Sequence, residues 1–366
     1  MKLKIKPIAI YLGLFLSAVF LVSCSTGLLK YDKSKVEFKS EEFDQQVQIK
    51  ELEEVKAEVA SEAPVPSPSV QKAQAAATAT IKTAQKKKTV AMRPTKGVSG
   101  KKAEMIEAPP VLRREPDIED SEGFNYQRRP SVDPFRVGEK VTHEVSYLAA
   151  TAGTLTLAVN PFAVVNGRKA YNFNINIKTN SFFSKVYAVD DKVQTYVDYE
   201  TLLPGPFKLD IRDSGQVKEA KSYFNFDQLT AHYWEHRYTE KNGHEEKKLS
   251  WKILPYSQNP FSAIFYMRIF KWTVGKEYVF RVADDEKNVT FKAKALEKTK
   301  LSTEAGDFNA IKLKAEVVSR GNLAKASDFY MWISDDDRKY VLRIEVKLPI
   351  GSLVSEVIDI DEGRTN

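Results

Sequence analysis

Between Tyr171 and Lys178 the chain alternates without a break: Tyr171, Phe173, Ile175 and Ile177 are apolar, while Asn172, Asn174, Asn176 and Lys178 are polar. A period of two puts the two sets on opposite faces of an extended strand, one dry and one wet. A helix cannot gather side chains at this spacing onto one side, so the segment commits its surroundings to a sheet. Strands are predicted upstream at Lys140–Leu148 and Thr154–Val165. Downstream they are predicted at Lys192–Tyr199, Phe207–Asp213, Val217–Phe226, Thr230–Thr239 and Glu246–Ile253. A second series covers Glu277–Ala283, Asn288–Leu296, Phe308–Ser319, Ser327–Ile333, Lys339–Leu348 and Val354–Ile358. Asn166-Gly167 and Asn242-Gly243 read as hairpin turns, because Asn and Gly accept positive φ. One helix interrupts the strands, from Pro260 to Phe270, with Asn259 as its cap and Pro260 in its first turn. Short strands joined by hairpins, with no alternating helices, predict a mostly β domain over 131–366. Its expected form is an antiparallel curved sheet or partly open β-barrel with one packing helix, preceded by a disordered tether.

The start of the chain has another character. Lys2, Lys4 and Lys6 precede an apolar run from Ile8 to Val22, the pattern of an export signal over residues 1–23, and the run is short for a stable membrane span. Cys24 is the only cysteine in 366 residues. Leu21-Val22-Ser23-Cys24 resembles the lipobox of bacterial lipoproteins. The resemblance implies that Cys24 is diacylated, becomes the mature N-terminus and holds the chain to a membrane through its acyl chains. Ser25 stands where an Asp commonly signals inner-membrane retention, which implies the cell outer membrane, facing the periplasm. With that thiol consumed, no disulfide can form within the mature chain, and stability must come from a core.

Residues 24–62 form the lipidated N-terminus. Within them Phe43, Val47, Leu52, Val55 and Val59 recur near helical spacing, predicting an amphipathic helix over about 40–60, either docked on the domain or formed transiently. Residues 63–130 read as a Pro/Ala/Lys-rich linker, opening with Ala63-Pro64-Val65-Pro66-Ser67-Pro68-Ser69 and too poor in large apolar residues to fold. Between 63 and 114 it carries 11 basic residues against 2 acidic. Two readings stand: a solvated tether, which over about a hundred residues spans roughly 50–60 Å, or a basic arm that touches anionic envelope polymer or headgroups. The net charge of +7 is spread along the chain, with three lysines in the signal and the remainder divided evenly on either side of residue 130. A nucleic-acid partner needs a basic face that neutralises several phosphates, and none is legible.

From Glu144 onward the residues resemble a bacterial envelope family catalogued as domain of unknown function 3108. The matching pieces are Glu144-Val145-Ser146-Tyr147 with Ala152-Gly153, Val186-Tyr187 with Asp190-Asp191, and Asn259-Pro260-Phe261-Ser262-Ala263 with Arg268. They continue with Ala305-Gly306-Asp307-Phe308-Asn309-Ala310, then Trp332-Ile333-Ser334-Asp335-Asp336 with Arg338, then Lys347 and Gly351-Ser352-Leu353. In this order they cover roughly 137–358. The resemblance implies a periplasm-facing β-rich domain similar to the curved sheets of lipid-handling folds, and it brings no catalytic residues with it.

Sites for chemistry are sparse. His232 and His236 share a strand face but lie about 13 Å apart along it, so they make no metal site. Asp335-Asp336-Asp337-Arg338 sits between two strands, where Asp favours tight turns and bonds its own backbone. Asp190-Asp191 and Asp284-Asp285 are read the same way. There is no Gly-x-Ser-x-Gly, free thiol or phosphate-cradling glycine loop, and no cofactor is expected. The aromatic residues, 11% of the chain, fill a sheet core or line an apolar groove for an acyl chain or hydrophobic peptide. Arg268, Trp332 and Tyr187 are the candidate ligand contacts, with Arg268 placed to neutralise a headgroup. The leading expectation is a non-catalytic binding or scaffolding module for a lipid, glycan or envelope protein partner. The alternative is a hydrolase of envelope polymer that uses paired carboxylates.

Overall fold

A computed structural model of the protein describes residues 38, 40–52, 130, 132–319, 322–323, 329–348 and 351–364. The expected signal at 1–23, Cys24 and the linker before Pro130 lie outside these residues.

Sixteen strands form one sheet: β1 (Ile49–Glu51), β2 (Lys140–Tyr147), β3 (Ala150–Val165), β4 (Arg168–Thr179), β5 (Asp190–Asp198), β6 (Pro204–Arg212), β7 (Val217–Asn225), β8 (Thr230–Thr239), β9 (Gly243–Lys252), β10 (Glu277–Asp284), β11 (Lys287–Thr303), β12 (Gly306–Ser319), β13 (Asn322–Leu323), β14 (Phe329–Ser334), β15 (Val341–Lys347) and β16 (Ser352–Asp361). Every pairing between them is antiparallel. The path runs β10-β11-β12-β14-β15-β16-β2-β3 and on through β4 to β9, while β1 and β13 attach at the side. Its two ends, β9 and β10, form no ladder with each other. The segment after β9 bridges them instead: Gln258 donates its backbone N–H to Arg281 (2.8 Å) and accepts from Ala283 (2.9 Å), and Asn288 donates from its side chain to the Lys252 carbonyl (2.9 Å). The sheet curls into a barrel that is left unclosed at this seam, as the strand pattern predicts.

The predicted alternation holds in β4. Tyr171, Phe173 and Ile175 are buried in the interior, with Ile177 at the interior's upper end. Asn166 and Gly167 both take positive φ, +47° and +82°, the geometry of the predicted two-residue hairpin. The second turn differs. Thr239 pairs with Gly243, so three residues lie between them and only Gly243 is left-handed, at +69°. The face of β4 expected to be wet is partly covered: Asn172 is buried and accepts from Gln194 at 3.0 Å.

The predicted helix forms inside the barrel as α2 (Ser262–Tyr266), continued by a tighter turn over Met267–Ile269. Asn259 caps it as expected, its Oδ1 accepting from the N–H groups of Phe261 (3.0 Å) and Ser262 (2.7 Å) while its Nδ2 donates to Thr195 of β5 at 3.0 Å. Phe265 stacks on Phe173 with centroids 4.1 Å apart, and Tyr266 meets Phe280 edge-on at 5.3 Å, so α2 packs against both β4 and β10.

The N-terminal segment departs most from expectation. Of the helix predicted over 40–60, the described residues form only α1 (Glu41–Gln46), which Ser40 caps by accepting from the Phe43 N–H, and residues 53–60 lie outside the described part. At Val47 the chain becomes extended, and β1 pairs with Val165, Val164 and Ala163 of β3. β2 pairs with β3 only as far as Ala158, so the end of β3 presents an open edge that β1 fills. Phe43 is buried edge-on against Trp234 at 5.8 Å, Trp234 donates to Glu42 at 2.9 Å, and Tyr196 donates to Glu51 at 2.8 Å. The described structure therefore begins at Phe38, fourteen residues after Cys24 rather than a hundred, and these contacts with strands far along the chain outweigh the local helical period over 47–52. Phe43→Ala removes the apolar anchor of this strap, a loss of roughly 3 kcal/mol. Amide exchange across residues 40–51 should speed up about a hundredfold, with the β4 and β5 amides unchanged. Equal exchange in wild type and variant would show that Phe43 does not hold the segment.

Candidate functional site

The upper end of the barrel, defined by the β2–β3, β4–β5 and β6–β7 connections, contains a hollow. Its walls are the inward residues of β2 to β5 and β14 to β16, including Val145, Leu155, Ile175, Ile177, Met331, Ile344 and Leu353; its floor is Pro260, Phe261, Ile264 and Met267 of the helical segment. The cavity measures about 100 Å³ and opens to solvent at its mouth. A second hollow lies beside the seam, against Phe207, Phe224, Tyr233, Trp251 and Asp284, and it shares Pro260 and Phe261 with the first. The start of the helical segment thus divides the barrel interior in two.

Carboxylates mark the mouth of the upper hollow. Asp191, at the start of β5, faces the interior, and its Oδ1 accepts from the Arg212 N–H at 3.0 Å. Burial, with the neighbouring Asp213 and Asp190 adding, pushes its carboxyl up to about 7 against the opposing effects of that N–H and Lys218. Asp213 accepts from the Gly215 and Gln216 backbone and from the Gln216 side chain, at 2.7, 3.0 and 3.0 Å, and it also bonds the Tyr187 hydroxyl. Burial, then Asp213, raises Tyr187 above the ordinary tyrosine value. One step below the hollow, His143 of β2 is fully buried, and neither ring nitrogen has a well-formed hydrogen bond. Burial lowers it to about 4.

None of the three predicted contact residues is among those lining the hollow. Tyr187 stands behind Asp213. Trp332 lies on the outer face of β14, in phase with Tyr330 and between Lys312 and Arg343, whose charges sit 5.3 and 5.2 Å from its ring. Arg268 lies beneath the floor, 2% exposed, donating to Glu139 at 2.5 and 3.1 Å and to the carbonyls of Pro134 and Arg338 at 3.1 and 2.9 Å. Arg338 also bonds Glu139. Arg268 is consumed by structure and cannot serve a headgroup in this state.

The acidic turn behaves as predicted. Asp336 Oδ1 accepts from Ser334 Oγ and from the backbone of Arg338 and Lys339, at 2.7, 3.0 and 2.8 Å. Asp190-Asp191 does not: it opens β5, and Asp191 shares the inward phase of Val193, Thr195 and Val197. Counting that strand's alternation back by two residues would have found it. His232 stacks on Trp234, and His236 meets His244 at 3.2 Å; no group of three or more potential metal ligands occurs among the described residues.

Two predictions follow from these geometries. Glu139→Ala leaves two guanidinium groups, one fully buried, without their counter-ion, and should cost roughly 3–5 kcal/mol in a urea titration; a change under about 1 kcal/mol would mean that the pair is not what fixes the helix. For Asp191, a raised carboxyl means that the folded state holds its proton longer than the unfolded chain, so stability falls as pH rises from the ordinary value of 3.8 to about 7. His143 acts in the opposite sense, losing stability on acidification from 6.5 towards about 4. The difference between wild type and Asp191→Asn cancels the His143 contribution. The variant should gain roughly 1–3 kcal/mol at pH 8 relative to pH 4, and an identical pH dependence would remove Asp191 from the interior.

The chain has matches of low sequence identity among solved structures. A β-barrel-like protein of domain of unknown function DUF1849 from Brucella abortus is 9% identical, with a TM-score of 0.43 over 63% of this chain and 99% of its own. An exported-protein candidate with a YmcC-like fold from Bacteroides fragilis is 9% identical, with a TM-score of 0.29 over 63% and 98%. A candidate lipoprotein from Parabacteroides distasonis is 9% identical, with a TM-score of 0.29 over 64% and 100%. No curated protein matches the chain. Residues 142–358, more than half of the chain and containing every wall strand of the upper hollow except the first two residues of β2 and the last three of β16, match the family described as Protein of unknown function (DUF3108), and the chain belongs to that family.

Proposed function

We propose that this is a lipid-anchored protein of the outer membrane, facing the periplasm, whose β domain holds an amphiphile by its apolar chain and catalyses no reaction. The observation that carries this reading is the upper hollow: an apolar-walled space, open at one end, with carboxylates confined to the mouth. Such a site rewards a slender apolar group, since each buried methylene is worth about 0.8 kcal/mol, and it leaves the polar end of the guest in water or on Asp191. A glycan would strand its hydroxyls against Ile175, Met331 and Leu353. The hydrolase alternative requires two carboxylates free to exchange protons with a substrate. Asp213 and Asp336 each already accept three or more hydrogen bonds that hold a turn.

The test is native mass spectrometry of the whole mature chain, exported behind a non-lipoprotein signal with Cys24→Ser, followed by solvent extraction. An amphiphile of defined mass should copurify at one per chain, and Ile177→Trp, which fills the hollow near its mouth, should abolish it. Protein that is empty both before extraction and after exposure to the cell's own lipid extract would defeat the reading and favour a scaffold for a protein partner.

A further inference from the structure

The three most exposed large apolar side chains among the described residues are Phe182, Val186 and Leu148, at 70%, 69% and 58%; the next, Val132, is 53%. All three lie at the upper end. Leu148 is in the β2–β3 turn, and Phe182 and Val186 are in the turn after β4, where β3 and β4 pair as neighbours through Gly153 and Thr179. These connections frame the mouth of the upper hollow, whose lining includes Tyr147, Ala152, Gly153, Thr179 and Val189.

The rim is built, not frayed. Asn180 Oδ1 accepts from the N–H groups of Phe182 (3.1 Å) and Phe183 (2.8 Å), its Nδ2 donates to the Thr151 carbonyl (2.6 Å), and its backbone N–H donates to Ala152 (2.9 Å). One side chain thus fixes the aromatic turn and clamps it to the β2–β3 hairpin. That hairpin has an unusual sequence: Leu148 and Ala149 occupy the two left-handed positions, φ +51° and +62°, where Asn-Gly is the low-energy choice. A leucine there combines backbone strain with an apolar side chain held in water, a pairing that marks a functional position. Lys178 and Lys185 are exposed beside the rim, with half-buried Asp190 opposite Lys178.

The chain's own course identifies the partner. Phe38, the first described residue, donates its backbone N–H to Glu219, two residues from the upper end of β7. Cys24 lies fourteen residues earlier, a span of at most about 48 Å. An acylated Cys24 therefore keeps a bilayer within reach of the upper end.

We propose that Leu148, Phe182 and Val186 insert into the lipid surface that holds Cys24, so that the mouth of the upper hollow opens onto the bilayer and exchanges its amphiphile there. This deepens the proposed function and rests on it for the cargo and for the anchor at Cys24, while the rim's own affinity for lipid is tested without the anchor.

The experiment measures cosedimentation of the whole mature chain, exported with Cys24→Ser and so unacylated, with vesicles of phosphatidylethanolamine and phosphatidylglycerol. It is repeated on phosphatidylcholine at high salt, where any attraction of the basic residues 63–114 for anionic lipid is screened. Wild type should partition onto both. The combined variant Leu148→Asp, Phe182→Asp, Val186→Asp should bind at least tenfold more weakly on phosphatidylcholine, while Val274→Asp, at an exposed apolar position of the lower end, should not differ from wild type. The three rim positions are exposed, and an unchanged near-ultraviolet circular dichroism spectrum checks that the variant is folded. Binding that is absent in wild type, or equal in wild type and rim variant, overturns the proposal. A rim variant that loses vesicles while wild type carries no amphiphile keeps the docking and rejects only the cargo.

Discussion

The guanidinium of Arg268 sits almost wholly out of water, and a charge taken that far inside has to be matched where it stands. Glu139 matches it, Arg338 joins from the other side, and the carbonyls of Pro134 and Arg338 take the remaining donors. These groups come from the start of β2, the turn after β14 and the helical segment, so one ion cluster ties three distant parts of the chain at the lower end of the barrel. Phe135 and Tyr340 lie against the same guanidinium at 5.0 and 5.4 Å and keep solvent away from it. Apolar groups of similar volume would fill this space at less desolvation cost. What the ionic version supplies is direction: it fixes which end of the barrel is plugged.

The plug determines where space remains. A curled sheet of this many strands encloses more volume than its own inward side chains fill, and α2 occupies the excess only in part. Held at the lower end by Arg268 and at its start by the bond from Asn259 to Thr195, the segment leaves a hollow above it and another towards the seam. The seam has the same origin. β9 and β10 are joined through the helical segment, and a chain that must dip into the interior between two strands cannot pair them as a hairpin. Residues 252–258 replace that pairing with a few bonds at one end. The open edge and the interior space are therefore two consequences of one connection.

Local pattern made the strands legible. Tyr171 to Lys178 alternates because β4 has one face in the core, and the helix could be read from Asn259 and Pro260 because caps act over two or three residues. What was not legible depends on partners far along the chain. Nothing near residue 49 indicates that the edge of β3 ends its pairing at Ala158, and nothing near Glu42 points to Trp234, 192 residues away. Arg268 on a helix looks the same whether it faces a ligand or a buried glutamate 129 residues earlier. Trp332 sat in one of the segments that resemble the family, and it proved to be on the outer face, where its neighbours are lysine and arginine. Asp191 was the exception, since its place inside followed from the phase of its own strand and was hidden by reading Asp190-Asp191 as a turn.

The course of the first 130 residues changes what the long basic segment can do. Phe38 meets the barrel near its upper end, α1 passes over β7 and β8, and β1 reaches the lower end of β3, where Leu52 donates to the Phe162 carbonyl at 3.0 Å. The chain is next described at Pro130 and from Val132. Asp133 bonds Tyr171, and the Tyr171 ring lies 5.4 Å from Phe162. Leu52, on the Phe162 backbone, and Asp133, on the Tyr171 hydroxyl, thus meet neighbouring residues of β3 and β4 at the lower end. A segment that leaves and returns at neighbouring points closes a loop, and the length of a loop sets no distance between an anchor and a domain. Any distance from Cys24 is limited instead by the fourteen residues before Phe38, and under the proposed anchor these keep the upper end, with its apolar rim, within reach of the membrane. Both described ends of the segment that carries the basic residues 63–114 lie at the opposite end of the barrel from that rim.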